Sequence, residues 1–228
     1  MVSRPALAAL GSVPRELFLP ASQRLSAYAD RALSIGHGQT CSQPWIVAVV
    51  VQALDLTAGT TVLEVGAGSG YLAAVLRAAG AGGVLAIELL PELAAQARRN
   101  LSQAGIEGVT ILVGDGRLGA PGWGPFDAVV ISAATAAIPR GLLRQVGPGG
   151  KLVCPLVSDN EERLWCLHRE GPGWRWQDLG ECRFVPLLGD ADPGDPSRPA
   201  APLPRSPQAL SSGDPKATDS PPGTGSAP

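Results

Sequence analysis

Apolar residues along the chain fall into short blocks with two alternating periods. Val62, Leu63 and Val65 form an aliphatic, β-branched run of strand length, as in a strand covered on both faces. It runs into Gly66-Ala67-Gly68-Ser69-Gly70-Tyr71, after which Leu72, Ala73, Val75 and Leu76 recur at helical spacing. Upstream, residues 43–54 read as a buried helix leading to a strand over 60–66. A strand over 83–89 precedes a helix over 91–104, with Pro91 in its first turn and Gly105 just past its end. Leu93, Ala97, Leu101 and Ala104 share one face of that helix. Strands follow at 109–114, 126–132 and 151–157. Between the last two, Leu142, Leu143 and Val146 predict a short helix ended by Gly147-Pro148-Gly149-Gly150. Residues 163–169 and 175–185, parted by Gly171-Pro172-Gly173, predict an antiparallel hairpin. The pattern is that of an α/β fold: a doubly wound, mostly parallel seven-stranded sheet with an antiparallel C-terminal edge.

The glycine turn carries the first candidate chemistry. Gly66, Gly68 and Gly70 lack Cβ atoms, so the backbone can come close to a ligand, and the following helix presents its N-terminus to an anionic group. Dinucleotide sites have G-x-G-x-x-G with an acid about 20 residues on. Here the spacing is G-x-G-x-G, and Tyr71 stands where the third dinucleotide glycine would fall. Glu88 ends the run Val84-Leu85-Ala86-Ile87, where a carboxylate can accept from two vicinal ribose hydroxyls. Asp115, in Gly114-Asp115-Gly116, can accept from an adenine amino group while Gly116 lets the ring lie flat; an ordinary Asx-turn is the alternative. Ligands of open sheets sit at the carboxyl ends of the strands, which gathers the glycine turn, Glu88, Asp115 and Ser132 on one rim. Together these features are the signature of a class I S-adenosylmethionine-dependent methyltransferase.

Composition narrows the setting. A chain of 228 residues suits one domain of ordinary size. A net charge of −2 and a pI near 5.7 argue against a nucleic-acid groove. The longest apolar run, Trp45 to Val51, is too short to span a bilayer, and Ala6 to Leu10 is shorter than a signal-peptide core. Cys41, Cys154, Cys166 and Cys182 show no C-x-x-C spacing, so no metal site is expected and free thiols in a reducing cytoplasm are. From Asp190 to Pro228 there are 10 prolines in 39 residues and no aromatic residue, which predicts a disordered tail after a domain over 1–189.

Upstream of the turn lies Ile35-Gly36-His37-Gly38-Gln39-Thr40-Cys41-Ser42-Gln43-Pro44, a polar, glycine-rich segment placed to act as a flap over the rim. With Val13-Pro14-Arg15-Glu16-Leu17-Phe18-Leu19-Pro20 and Phe184-Val185-Pro186-Leu187, it resembles the protein-L-isoaspartate O-methyltransferase family over about residues 10–189. That resemblance implies methylation of the α-carboxylate of L-isoaspartyl residues in damaged proteins and peptides, with S-adenosylmethionine as methyl donor and repair through a succinimide. It implies Ser42 as the active-site serine, with Gln39 and Thr40 beside it near cofactor and substrate. It places Gly66, Gly68, Gly70, Glu88, Asp115 and Gly116 at the cofactor. A carboxylate is already ionised at neutral pH, its free pKa being about 4, so the reaction needs no general base. Ser42 would orient the substrate by a hydrogen bond; a helix N-cap is its other reading. His37, between two glycines, reads as a solvated loop residue, and His168 as an exposed strand residue. Trp165, Trp174 and Trp176 are expected to pack the terminal hairpin. The chain departs from the family in little leading helix, in Cys41 for a larger aliphatic residue, and in Leu188 for threonine. Competing readings are a class I methyltransferase on a small molecule or amine, a non-catalytic cofactor-binding module and, least favoured, an NAD-dependent oxidoreductase. The expected protein is a cytoplasmic monomer that binds neither nucleic acid nor membrane.

Overall fold

The computed structural model describes residues 2–158 and 161–189. The proline-rich segment expected to be disordered, 190–228, lies outside the described residues. The elements in chain order are α1 (Arg4–Ser12), β1 (Leu33–Gly36), β2 (Gln39–Cys41), α2 (Pro44–Leu54), β3 (Thr61–Val65), α3 (Tyr71–Ala78) and β4 (Gly83–Glu88). They continue with α4 (Pro91–Gln103), β5 (Val109–Val113), β6 (Phe126–Ile131), α5 (Arg140–Gln145), β7 (Val146–Ser158), β8 (Glu161–Glu170) and β9 (Gly173–Glu181).

Seven strands form one sheet in the order β5-β4-β3-β6-β7-β8-β9. The first five in that order run parallel to one another, and the pairings β7-β8 and β8-β9 are antiparallel. Period-2 alternation sorts side chains to two faces. Val62, Val84, Ala86, Ala128 and Val130 pack with α1 to α4, whereas Leu63, Val65, Leu85, Ile87, Val129 and Ile131 pack with Leu142 of α5. Strand order reverses between β3 and β6, which opens a crevice at their carboxyl ends.

Two local expectations are corrected. The leading helix judged nearly missing is present as α1: Ser3 caps it by accepting from Ala6 N–H at 3.4 Å, and Pro5 sits in its first turn. Residues 147–150, expected to end a helix, instead belong to β7, with a register shift opposite Phe126 and Ala128. A Cβ on Gly150 would lie 2.8 Å from the Asp127 carbonyl oxygen, so the glycine permits a close strand approach. Trp165 and Trp176 meet edge to face at 5.8 Å on the hairpin. His168 lies on β8 beside Arg175 and the Gly149 carbonyl, and His37 is exposed.

Candidate active site

The crevice begins at the glycine turn. Gly66 and Gly68 have φ of 89° and 53°, backbone conformations that side chains with a Cβ rarely adopt. The N–H groups of Gly66 and Ala67 donate to the Ile87 carbonyl at 2.8 and 3.2 Å, binding the turn to the end of β4. Gly70 caps α3 and packs on α4, where an added Cβ would sit 3.3 Å from that of Ala97.

Glu88 closes β4 directly beneath this turn. One carboxylate oxygen accepts from Gly68 N–H at 2.8 Å and the other from Leu90 N–H at 3.0 Å. A carboxylate has about four lone-pair sites, so about two remain for a ligand. Glu88 lines a cleft of about 570 Å³ together with Gln39, Thr40, Gly66, Gly68, Gly116 and Ser132. Six of the nine residues singled out from the sequence therefore bear on this cleft or its edge: Gln39, Thr40, Gly66, Gly68, Glu88 and Gly116.

The other three stand around it. Gly70 supports the turn from behind. Asp115 is paired with Arg117 at 2.6 Å and also accepts from Arg117 N–H at 3.0 Å, as in an Asx-turn. Gly116, its neighbour, lies flat on Val65: a Cβ there would come within 2.4 Å of Val65 Cγ1. Ser42 lines a smaller hollow of about 320 Å³ that joins the cleft through Thr40, Gly66, Gly68 and Ser132. Helix capping is not its part. The N-cap of α2 is Gln43, and its first-turn N–H on Trp45 is satisfied by the Asp30 carboxylate at 2.9 Å. Ser42 also lines an outer groove with Trp45, Arg183 and Phe184.

The flap is an antiparallel hairpin of β1 and β2. Ile35 rests on the glycine turn, its Cδ1 3.3 Å from where a Gly68 Cβ would lie. Arg15 locks the far side. It is 1% exposed, and its guanidinium donates to the carbonyls of Ala27, Ala29, Arg31, Cys41 and Ser42 at 2.6 to 3.3 Å. It also lies 5.7 Å from the Tyr71 ring, whose hydroxyl is pushed up to about 12, chiefly by burial. Burial raises the Cys41 thiol, with the Arg15 charge opposing. Sequence reasoning missed Arg15, Asp30 and Glu64 as parts of the site. Glu64 is 1% exposed on β3 and lines the hollow at Ser42; burial first, and Glu88 second, hold its carboxyl well above the usual range. An acid inside a doubly covered aliphatic strand was the available signal.

A sequence model of the protein-L-isoaspartate(D-aspartate) O-methyltransferase family matches residues 1–192. The chain belongs to this family. It is 45% identical over 184 residues to a Methanoculleus marisnigri protein named protein-L-isoaspartate O-methyltransferase, covering 80% of this chain and 83% of the relative. A Methylorubrum populi protein of the same name is 49% identical over 183 residues, covering 80% and 85%. A solved structure titled protein-L-isoaspartate O-methyltransferase superposes with a TM-score of 0.76 at 30% identity, covering 82% of this chain; the match spans 62% of that longer chain. A Plasmodium falciparum protein solved with S-adenosyl-L-homocysteine shares the fold, with a TM-score of 0.70 at 21% identity, covering 82% and 92%. Among the described residues no helix is long and apolar enough to cross a membrane.

Proposed function

We propose that the protein methylates the α-carboxylate of L-isoaspartyl residues in damaged proteins and peptides, using S-adenosylmethionine. The observation that carries this reading is one continuous crevice, in a chain of this family, with a strand-end carboxylate at one end and the Ser42 hollow at the other. The cleft's donor set fits the cofactor. Glu88 offers lone pairs to two ribose hydroxyls, Gly66 and Gly68 bare the backbone, and Asp115 with Gly116 bounds the end for the base. Gln39 and Thr40 cover the cleft from the flap.

When bound, the cofactor supplies a methyl group activated by a positive sulfonium. The substrate carboxylate forms the new C–O bond as the C–S bond breaks, and the electron pair leaves on sulfur, so no proton moves. The chain's task is alignment and exclusion of water, an effect that can reach roughly 7–11 kcal/mol. Ser42 donates a hydrogen bond that orients the carboxylate. The methyl ester then closes to a succinimide without further help from the enzyme. The family match over 1–192 supports reading 1–189 as the methyltransferase unit. Four buried free cysteines support a reducing, cytoplasmic setting.

Methyl-labelled cofactor with an isoaspartyl peptide should yield base-labile methyl ester, while the matching aspartyl peptide yields little. Equal labelling of both peptides would refute the assignment.

A further inference from the structure

The hairpin carries a second surface, apart from the residues that line the cofactor cleft. β9 is the edge strand of the sheet, and Trp176 on it is 51% exposed. Trp176 and its edge-to-face partner Trp165 line a groove with Ala136, Leu156 and Val157, the last 40% exposed. Exposed apolar groups gathered in one groove mark an interaction surface. Acidic charge borders it. Arg163 in the groove pairs with Asp178 at 2.6 Å, and the charges of Glu161 and Glu181 act on the same guanidinium. Among the described residues, three acids around one arginine leave this border negative.

The chain itself supplies a matching segment. Pro193, Pro196, Pro199 and Pro202 recur at every third position. A polyproline II helix has three residues per turn, so this spacing aligns the four rings on one ridge, with Arg205 next in line. Aromatic-lined grooves take such P-x-x-P segments because their extended form costs little entropy to fix. Residues 196–213 contain Arg198 and Arg205 and no acid, opposite in sign to the border of the groove. The starting point fits as well. Leu187 N–H donates to the Ala134 carbonyl at 2.7 Å, and Val157 N–H donates to the Thr135 carbonyl at 3.0 Å. Two strand spacings, about 10 Å, thus separate the chain at Leu187 from the groove wall. From Gly189 to Pro196 an extended chain spans roughly 23 Å, enough to bring the ridge to the indoles.

We propose that segment 193–205 docks on the Trp165–Trp176 groove of its own chain, with its proline ridge on the indoles and its arginines toward Glu161, Asp178 and Glu181. Tethering favours this occupant. A short linker holds the segment at an effective concentration in the millimolar range, so a modest intrinsic affinity fills the groove. The segment has too few apolar side chains to build a core of its own, and the hairpin lends it a surface to bury them on. Docking also covers indole surface that the fold leaves in water. This interaction is independent of the methyl transfer.

The test uses the full chain with the photoreactive residue p-benzoylphenylalanine in place of Ala200. Irradiation at micromolar protein is followed by mapping of the cross-linked peptides by mass spectrometry. Links within one chain, to the peptides that hold Trp165 or Trp176, should dominate. Adding W176S should lower their yield about fivefold or more, the loss expected for one aromatic contact. P196S/P199S/P202S, which removes the ridge, should lower it at least as much. Circular dichroism of both variants should match that of the parent. Links scattered over the surface, no links, or a yield indifferent to W176S would overturn the inference. Links between chains that grow with protein concentration would overturn it too, by making a second copy the occupant. If W176S fails to fold, the proline variant decides: it leaves the hairpin intact, and an undiminished yield there overturns the docking.

Discussion

Glu88 shows how one side chain can serve both fold and ligand. Its two bonds to Gly68 and Leu90 hold the glycine turn against β4 while leaving lone pairs turned to the cleft. Glu88→Ala should therefore weaken S-adenosylhomocysteine binding by about 1.5–3 kcal/mol, the range for hydrogen bonds to a charged group. Calorimetry checks this, and unchanged affinity would refute the ribose role. Ser42 should separate differently. Its hydroxyl faces the acceptor hollow while Asp30 serves the helix, so Ser42→Ala should lower kcat with little change in S-adenosylhomocysteine affinity or melting temperature. Wild-type turnover in that variant would remove Ser42 from the reaction.

Elements were legible where their causes are local. The strand–glycine turn–helix unit and the acid ending β4 lie within one stretch of sequence, and both stand where the pattern places them. What sequence reasoning missed depends on partners distant along the chain. Asp30 caps α2 across a separation of 15 residues, and Arg15 reaches the Ser42 carbonyl across 27. Neither spacing matches a periodic signal. Glu64 lies 68 positions from Ser132, and the two meet only when β3 and β6 pair. The α1 helix carried a local signal as well: Ser3 and Pro5 mark its start. If Asp30 is the true cap, Asp30→Ala should destabilise the protein by about 1 kcal/mol, with larger effects on isoaspartyl peptide KM than on cofactor affinity. Urea unfolding and steady-state kinetics check both halves; an unshifted midpoint would show that α2 needs no external cap.

Across the whole molecule, the sheet's switch point makes the site and also stores its cost. Glu64 sits on β3 opposite Val130 of β6, and burial raises its folded-state pKa well above the ordinary 4.5. Between those two values the native state holds a proton that the unfolded chain has released. Stability therefore falls as pH rises through that window. Glu64→Gln removes the titration, so its melting temperature relative to wild type should climb as pH rises above the ordinary carboxylate value of 4.5. A constant difference across that range would mean that Glu64 titrates normally. The same switch point fixes where donor and acceptor must lie. A crystal structure with S-adenosylhomocysteine and an isoaspartyl peptide examines that arrangement in a single experiment. It should show both ribose hydroxyls on the Glu88 carboxylate, the sulfur near Thr40 and Ser132, and the peptide's α-carboxylate beside Ser42. Ribose away from Glu88, or a peptide carboxylate outside the Ser42 hollow, would contradict the account.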